Sequence, residues 1–317
     1  MDKLNFETPD LVAENVEKIG ALFPSVVTEM RDENGNLKKG INFETLKQLL
    51  SQDVVDGEEC YEFTWVGKKA AMAEAARPIT KTLRPVKEDS RDWETTENLY
   101  IEGDNLEVLK ILQESYLGKV KMIYIDPPYN TGKDFVYPDR FMMDDEEHKE
   151  KTNYFDEDGN INYSRVNNET DDRYHSNWCS MIYSRLVIAR NCLQECGVIF
   201  ISVDDHEQEN LKKICDEVFG TKNFVAQLIW ERAYAPKNDA KYISNSHDYV
   251  IMYCKNIDEF VIGRLPRTEE ADARYKNPDN DPRGVWQSDN MTVKTYSPSG
   301  DYPITTPSGR VVEPPGQ

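Results

Sequence analysis

Apolar and polar positions along the chain form two kinds of pattern, and together they predict helices that alternate with short strands. Apolar residues recur at helical spacing in some segments, whereas other apolar and β-branched runs are too short for helices and predict strands. The predicted helices lie at 11–23 and 42–50, after the capping residue Asp104, between Ser176 and Gly197, and between Asp205 and Gly220. The predicted strands lie at 61–65, 99–101, 122–125, 198–203, 224–230 and 247–254.

The order of these elements predicts the fold class. Strand and helix alternate over the middle of the chain and end in a pair of consecutive strands, which is typical of an α/β fold. The runs at 122–125 and 198–203 are almost entirely apolar, as expected for buried strands of a parallel sheet. We therefore predict a Rossmann-like sheet, mostly parallel with an antiparallel edge and incomplete within this chain, preceded by a helical N-terminal leader.

Composition divides the chain into three regions. Residues 1–90 are predicted to be the leader, and 81–94 are charged, contain Pro85 and resemble a linker. Residues 91–262 carry the alternating strands and helices. Residues 263–317 are polar and rich in proline, which predicts a separate region.

One predicted strand ends in a sequence with distinctive chemistry. Asp126, Pro127, Pro128 and Tyr129 follow the run 122–125, and the prolines stop the strand because they cannot donate to a ladder. Asp126 is then left at a carboxyl edge, where open α/β sheets bind ligands. The alternative is that these four residues form only a turn.

The same four residues suit methylation of an exocyclic amino group on a nucleobase. Such a nitrogen is a poor nucleophile because its lone pair is delocalised into the ring. Acceptors for the amino hydrogens, here the Asp126 carboxylate and the Pro127 carbonyl, return that lone pair to nitrogen. Tyr129 offers a flat face for a base taken out of the duplex.

Other candidate residues each have a structural alternative. Gly103 and Asp104 are predicted to lie near the cofactor, although Asp104 also suits a helix cap with Glu107 three residues later. Asp204 and Asp205 suit helix capping better than a metal site with His206 and Glu207, because consecutive residues point in different directions. The acidic segment 135–174 is predicted to be a solvated loop or a lid over the base pocket.

A second group of candidates concerns nucleic acid. Basic residues interleaved with aromatic ones between the last two strands could contact phosphates or a displaced strand, or could form a solvated loop. They are Arg232, Tyr234, Lys237 and Lys241.

Charge is the observation that fits nucleic acid least well. The chain has 38 basic and 58 acidic side chains and a net charge of −20, whereas a DNA-binding surface is locally basic. Two hypotheses reconcile this: the acidic residues are segregated from the DNA face, or the main DNA-binding segment lies outside this chain. The six cysteines show no zinc-site spacing and predict free thiols without metal. Without an apolar run of membrane length or a signal peptide, the chain is predicted to be cytoplasmic.

The motif and its surroundings resemble a known family. Residues 126–129 match the D-P-P-Y motif of amino DNA methyltransferases, and the run through Gly132 is similar to the modification subunit of type III restriction-modification systems. The resemblance continues, in the same order, at 101–109, 175–186, 197–205, 216–224, 247–251 and 304–310.

This resemblance implies a β-group, adenine N6-specific DNA methyltransferase that uses S-adenosyl-L-methionine. Asp126, Pro127, Pro128 and Tyr129 would be catalytic, and Gly103, Asp104 and Asp126 would bind the cofactor. The implied partners are double-stranded DNA, a second modification subunit and a restriction subunit. Residues 263–317 would begin the target-recognition region. The motif also permits cytosine N4 methylation, and methylation of RNA or protein is a weaker alternative.

The glycine-rich F-x-G-x-G turn that such methyltransferases use for the cofactor is not found in this sequence. In the β arrangement this turn follows the recognition region. We therefore expect either an N-terminal portion of a longer protein or a truncated copy. The alternative function is a catalytically incomplete DNA-binding or assembly fragment.

Overall fold

The structure is a computed structural model, and it describes residues 8–31, 35–50, 61–132, 167, 169–232, 244–289 and 298–313. The chain divides into two compact units, Met1–Val261 and Ile262–Gln317. In the first unit, helices are α1 (Leu11–Leu22), α2 (Phe43–Leu50), α3 (Lys68–Ala76), α4 (Asn105–Tyr116), α5 (Tyr174–Cys192) and α6 (Gln208–Phe219). Its strands are β1 (Val27–Arg31), β2 (Leu37–Ile41), β3 (Val120–Ile125), β4 (Leu193–Val203), β5 (Phe224–Glu231) and β6 (His247–Cys254).

The second unit, described by itself, has little regular structure within its described residues. It contains the short helix α7 (Glu269–Asp272) and the strands β7 (Ile304–Thr305) and β8 (Val311–Val312), which pair antiparallel. Thr268 caps α7 by accepting a hydrogen bond from the Ala271 amide at 3.2 Å.

A four-stranded sheet with the order β3-β4-β6-β5 forms the centre of the first unit. β3 and β4 are parallel, and β6 and β5 continue the sheet in antiparallel pairings. The predicted α/β class with an antiparallel edge is confirmed. Two of the three pairings in the described sheet are antiparallel, so among the described strands the sheet is mixed and not mostly parallel as predicted.

The hydrophobic core lies between the sheet and the helices α5 and α6. Alternate residues of β4 point toward these helices, because successive side chains of a strand lie on opposite faces. Those residues are wholly buried with Trp178 of α5 and Leu211 of α6. The buried β4 residues are Ile199, Ile201 and Val203.

The strand before Asp126 is buried on one face only, so the prediction of a fully buried strand at 122–125 was wrong. Ile123 and Ile125 pack against the core, whereas Met122 and Tyr124 are 59% and 57% exposed. The helices α5 and α6 that build the core lie on the Ile123 face, and the apolar Met122 face is left open in the part of the chain that the structure describes.

Two short predicted strands are absent. Residues 61–65 are irregular, and Trp65 donates from its indole Nε1 to Ser180 Oγ of α5 at 2.8 Å. Residues 99–101 are also irregular, with Tyr100 91% exposed. Neither segment pairs with a strand among the described residues. The leader also contains the β1-β2 hairpin, which the helical prediction missed.

Helix ends were predicted with mixed success. Asp104 caps α4, because its Oδ1 accepts from the Glu107 amide at 3.0 Å, and Gly220 ends α6 in a positive-φ conformation. Ser176 and Gly197 were wrong, since α5 begins at Tyr174 and ends at Cys192. Capping by Asp204 and Asp205 was also wrong, because a turn separates them from the first residue of α6 at Gln208.

The five described cysteines are free thiols, as predicted. Within the described ranges, no helix combines the length and apolar character needed to cross a bilayer.

A buried ion pair links the leader to the sheet-bearing region. Lys110 of α4 is 1% exposed, and its Nζ lies 2.9 Å from Oε1 of Glu74 in α3, which is itself buried. Removing one partner of such a pair leaves an uncompensated buried charge, which is costly. By contrast, Lys81 and Glu107 form an ion pair at 2.6 Å with the lysine side chain 59% exposed.

We expect Glu74→Ala to lower the free energy of unfolding by about 3–5 kcal/mol, because it leaves the Lys110 ammonium buried without its carboxylate. Lys81→Ala is the matched control at the exposed pair and should change it by at most about 1 kcal/mol. Urea unfolding followed by circular dichroism measures both. Equal effects of the two substitutions would contradict the assignment of Glu74 and Lys110 as a buried pair.

Candidate active site

The parallel pairing of β3 with β4 sets the position of Asp126. Ile125 is paired with Ile201, so Asp126 follows the last paired residue of β3 next to Ser202. Ser202 Oγ donates a hydrogen bond to Asp126 Oδ1 and also lies 3.3 Å from the Ile125 carbonyl oxygen. Asp126 is exposed while Ser202 is only 6% exposed. The buried serine thus bonds one carboxylate oxygen, and the carboxylate stays accessible at the sheet edge.

Tyr129 lies against the same two side chains. Ser202 and Asp126 both influence the titration of its hydroxyl. Partial burial is the main cause that raises the pKa of Tyr129 above its ordinary value of 10.0, and the Asp126 carboxylate raises it further while the Ser202 hydrogen bond opposes the shift. The tyrosine therefore stays a neutral hydroxyl at physiological pH. Its predicted role as a stacking surface remains a prediction.

The turn after the motif is held by side chains from α5. Trp178 donates from Nε1 to the Pro128 carbonyl oxygen at 2.6 Å, and the Tyr174 hydroxyl donates to the Asn130 carbonyl oxygen. Asn130 is fully buried and has a φ of 61°, in the left-handed region that asparagine adopts more readily than most residues other than glycine. These bonds fix the turn directly after the two prolines.

Sequence reasoning missed Ser202, Trp178 and Asn130 as members of this site. Ser202 carried a signal, since it is the one polar residue in the apolar run 198–203. Trp178 lies within the helix predicted between Ser176 and Gly197, and a helical pattern indicates that an indole is buried without showing what its Nε1 bonds.

The predicted cofactor residues are placed at the start of α4. Asp104 uses Oδ1 to cap the helix, and Gly103 before it has a φ of 152°. The strand expected just before them, which was to bring them beside β3, is not formed. A cofactor role for Gly103 and Asp104 therefore remains a prediction, and the strand on which it was based is not formed.

Of the predicted nucleic-acid residues, only Arg232 lies within the described part of the chain. Its Nη1 lies 3.0 Å from Oδ1 of Asp248, which is 7% exposed. Burial raises the pKa of Asp248, the Arg232 charge lowers it, and Asp204 and Asp205 raise it further. The arginine thus already neutralises a buried carboxylate. Tyr234, Lys237 and Lys241 lie outside the described residues, as does nearly all of segment 135–174.

The acidic residues at the end of β4 bond to neighbouring protein groups. Asp204 Oδ1 accepts from the His206 amide at 3.0 Å, and the Tyr249 hydroxyl donates to Asp205 Oδ1 at 2.8 Å. Among residues whose placement is described, no cluster of histidine, cysteine or carboxylate side chains is arranged to hold a metal ion.

An exposed carboxylate at the carboxyl end of a parallel strand stands at the edge where open α/β sheets bind their ligands. The family model for N6/N4 DNA methylases matches residues 120–310, which is more than half of the chain and includes β3, the D-P-P-Y motif and β4. The chain therefore belongs to the N6/N4 DNA methylase family.

Several curated relatives are Mod subunits of type III restriction-modification enzymes. The chain is 35% identical over 292 residues to the Mod subunit of the type III restriction-modification enzyme StyLTI of Salmonella typhimurium, covering 89% of this chain and 44% of that protein. It is 37% identical to the EcoPI Mod subunit of Escherichia phage P1, covering 86% of this chain and 43% of that subunit. The chain thus spans less than half the length of these relatives.

A solved structure from Thermus thermophilus, assigned as a DNA modification methylase and complexed with S-adenosyl-L-methionine, is also similar. The two are 15% identical with a TM-score of 0.30, covering 57% of this chain and 60% of that chain. At this level the similarity adds nothing to the assignment of the family.

The contact between Tyr129 and Asp126 predicts a shift in tyrosine titration. Because the pKa of Tyr129 is raised on folding, its neutral form contributes stability that is present below pH 10 and lost as the pH rises through the folded-state pKa. We expect Asp126→Asn to move this pKa downward, since the carboxylate charge is removed. NMR of 13C-tyrosine-labelled protein, with Tyr129→Phe to assign the signal, measures it. An unchanged Tyr129 pKa in Asp126→Asn would show that the two groups do not interact.

Proposed function

We propose that this protein transfers a methyl group from S-adenosyl-L-methionine to the N6 amino group of adenine in duplex DNA, as the modification subunit of a type III restriction-modification system. The observation that carries the proposal is the accessible Asp126 carboxylate held at the end of β3 by Ser202. Family membership and the similarity to type III Mod subunits support it. A second modification subunit and a restriction subunit are the proposed partners, and the cytoplasm is the proposed location.

The proposed residues activate the amino nitrogen as a nucleophile and need not remove a proton from it before the methyl group is transferred. Asp126 and the Pro127 carbonyl accept hydrogen bonds from the two amino hydrogens, which returns lone-pair density to the nitrogen. Trp178 bonds the next carbonyl, that of Pro128, and so holds the peptide that follows the one carrying the Pro127 acceptor. Tyr129 would stack on the extruded base. Positioning and electrostatics supply the catalysis. The amino nitrogen would take the methyl group as its C–S bond breaks to leave a neutral thioether, and the surplus amino proton would then pass to water or to the Asp126 carboxylate that accepts its hydrogen bond.

The described residues fit the reacting end of the methyl donor. S-adenosyl-L-methionine, when bound, supplies a methyl group on a cationic sulfonium, and the exposed Asp126 carboxylate gives the edge the complementary negative charge. Asp126, Gly103 and Asp104 would hold S-adenosyl-L-methionine. Asp104 Oδ1 already accepts a hydrogen bond from the Glu107 amide.

The test of the function is tritium transfer from labelled S-adenosyl-L-methionine to mixed-sequence duplex DNA. The 317-residue chain is compared with the protein as its gene encodes it, and the labelled nucleoside is identified by chromatography. Labelled N6-methyladenosine supports the proposal, N4-methylcytosine would change the target base, and no transfer by either protein would overturn it. Transfer by the gene-encoded protein alone would place the rest of the cofactor site outside this chain.

Asp126→Ala should lower the transfer rate by about a thousandfold or more, because it removes an acceptor aimed at the reacting nitrogen. DNA affinity, measured by fluorescence anisotropy, should change little. Asp258→Asn, at a carboxylate whose side chain is 78% exposed, is the control and should transfer normally. Retained transfer by Asp126→Ala would remove the mechanism.

Ser202→Ala should slow transfer by about tenfold, since a hydrogen bond to a charged group is worth about 1.5 kcal/mol and this one orients Asp126. Ser184→Ala is the matched control, because Ser184 is also buried but bonds only the Met181 carbonyl oxygen within α5, at 3.1 Å. Single-turnover kinetics distinguish them. If both serine variants transferred at the wild-type rate, Ser202 would have no role in orienting Asp126.

A further inference from the structure

A fully buried carboxylate bonds to the turn formed by residues 126–130, which is called the catalytic turn below. Glu207, the residue before α6, has an exposed fraction of 0%. Burying a charged group is costly unless it is hydrogen-bonded, so its partners indicate what the position serves. Within the described part of the chain its only ion-pair partner is His175, whose side chain is 58% exposed.

The partners of Glu207 lead to the turn after the motif. Its Oε1 accepts from Asn130 Nδ2 at 2.5 Å and lies 2.7 Å from His175 Nδ1, and its Oε2 accepts from Asn210 Nδ2 at 2.7 Å. Glu207 makes no side-chain cap to the helix that follows. A residue placed there only to start α6 would bond the helix amides, whereas this carboxylate bonds a side chain of the turn.

Both polar atoms of the Asn130 side chain, and its backbone carbonyl oxygen, are hydrogen-bonded. Nδ2 donates to Glu207, Oδ1 accepts from Asn167 Nδ2 at 2.8 Å, and its backbone carbonyl accepts from the Tyr174 hydroxyl. Asn167 is in turn bonded by Asn177 Nδ2 at 3.2 Å. This network holds Asn130 at its φ of 61°, a left-handed conformation that asparagine adopts more readily than most residues other than glycine.

The position of Asn130 is transmitted to the acceptor groups through a short, stiff link. Pro127 and Pro128 lie between Asp126 and Tyr129, and each has a fixed φ. A displacement of Asn130 therefore changes the direction of the Pro127 carbonyl and of the Tyr129 ring. A shift of about 1 Å in such groups can cost about a hundredfold in rate.

We propose that Glu207 is a positioning residue for methyl transfer, which acts through Asn130 to aim the acceptors of the catalytic turn. The proposal rests on the proposed function for its kinetic test and on the geometry alone for its spectroscopic test. It goes beyond the motif, since Glu207 lies 77 residues after Asn130 in the chain.

The kinetic test uses the protein as its gene encodes it. Glu207→Ala should lower kcat roughly tenfold to a hundredfold and leave the KM for S-adenosyl-L-methionine and the DNA affinity within about twofold, because the turn is misaimed rather than lost. Glu207→Gln should recover most of the rate, since its amide oxygen can accept the hydrogen bond from Asn130. Its amide nitrogen can donate to Oδ1 of Asn210 once the Asn210 amide has rotated. Glu209→Gln, exposed on the same helix, is the control and should have the wild-type kcat.

A double-mutant cycle identifies the route of the effect. If Glu207 acts through Asn130, then Glu207→Ala combined with Asn130→Ala should be no slower than the slower single variant. Multiplied effects on kcat, a wild-type kcat in Glu207→Ala, or a Glu207→Gln variant as slow as Glu207→Ala would each overturn the proposal.

The spectroscopic test does not depend on activity. The indole N–H signal of Trp178, assigned with Trp178→Phe, reports its hydrogen bond to the Pro128 carbonyl. Glu207→Ala should shift this signal and Glu209→Gln should not. A shift in a protein that transfers no methyl groups would support the positioning link while the proposed function fails. An unmoved signal in Glu207→Ala would overturn the link.

Discussion

The parallel pairing of β3 with β4 is the constraint on which the site depends. The register that places Ile125 beside Ile201 also places Asp126 beside Ser202. That register is fixed by side-chain period, because a slip of one residue would turn Ile123 and Ile125 out of the core. Burial of apolar side chains on one face thus determines where the carboxylate stands at the edge.

Helix α5 supports both the core and the turn that follows the D-P-P-Y motif. Most of its residues are buried against the sheet and α3, so its axis is fixed by packing. Its first turns then present Tyr174 and Trp178 to the carbonyl oxygens of Asn130 and Pro128. Because those donors belong to a packed helix, the turn is held as rigidly as the core. The proposed reaction depends on positioning and requires this rigidity.

The leader is attached to the same scaffold by polar contacts in apolar surroundings. Trp65 bonds Ser180, and Lys68 lies 2.9 Å from Glu217 of α6. Glu74 and Lys110 join α3 to α4. Such buried polar pairs are costly unless they are well matched, so they favour one arrangement of the leader over alternatives.

The sequence by itself determined the family, the main strands and helices, and the position of Asp126 at a strand end, because periodicity and proline are local signals. It did not determine which strands pair, so 61–65 and 99–101 were wrongly predicted as strands. Ser202 and Glu207 reach Asp126 and Asn130 across 76 and 77 residues of chain. Only the tertiary structure decided those contacts, because a hydrogen bond between distant residues depends on sheet register and helix packing, which no local pattern encodes.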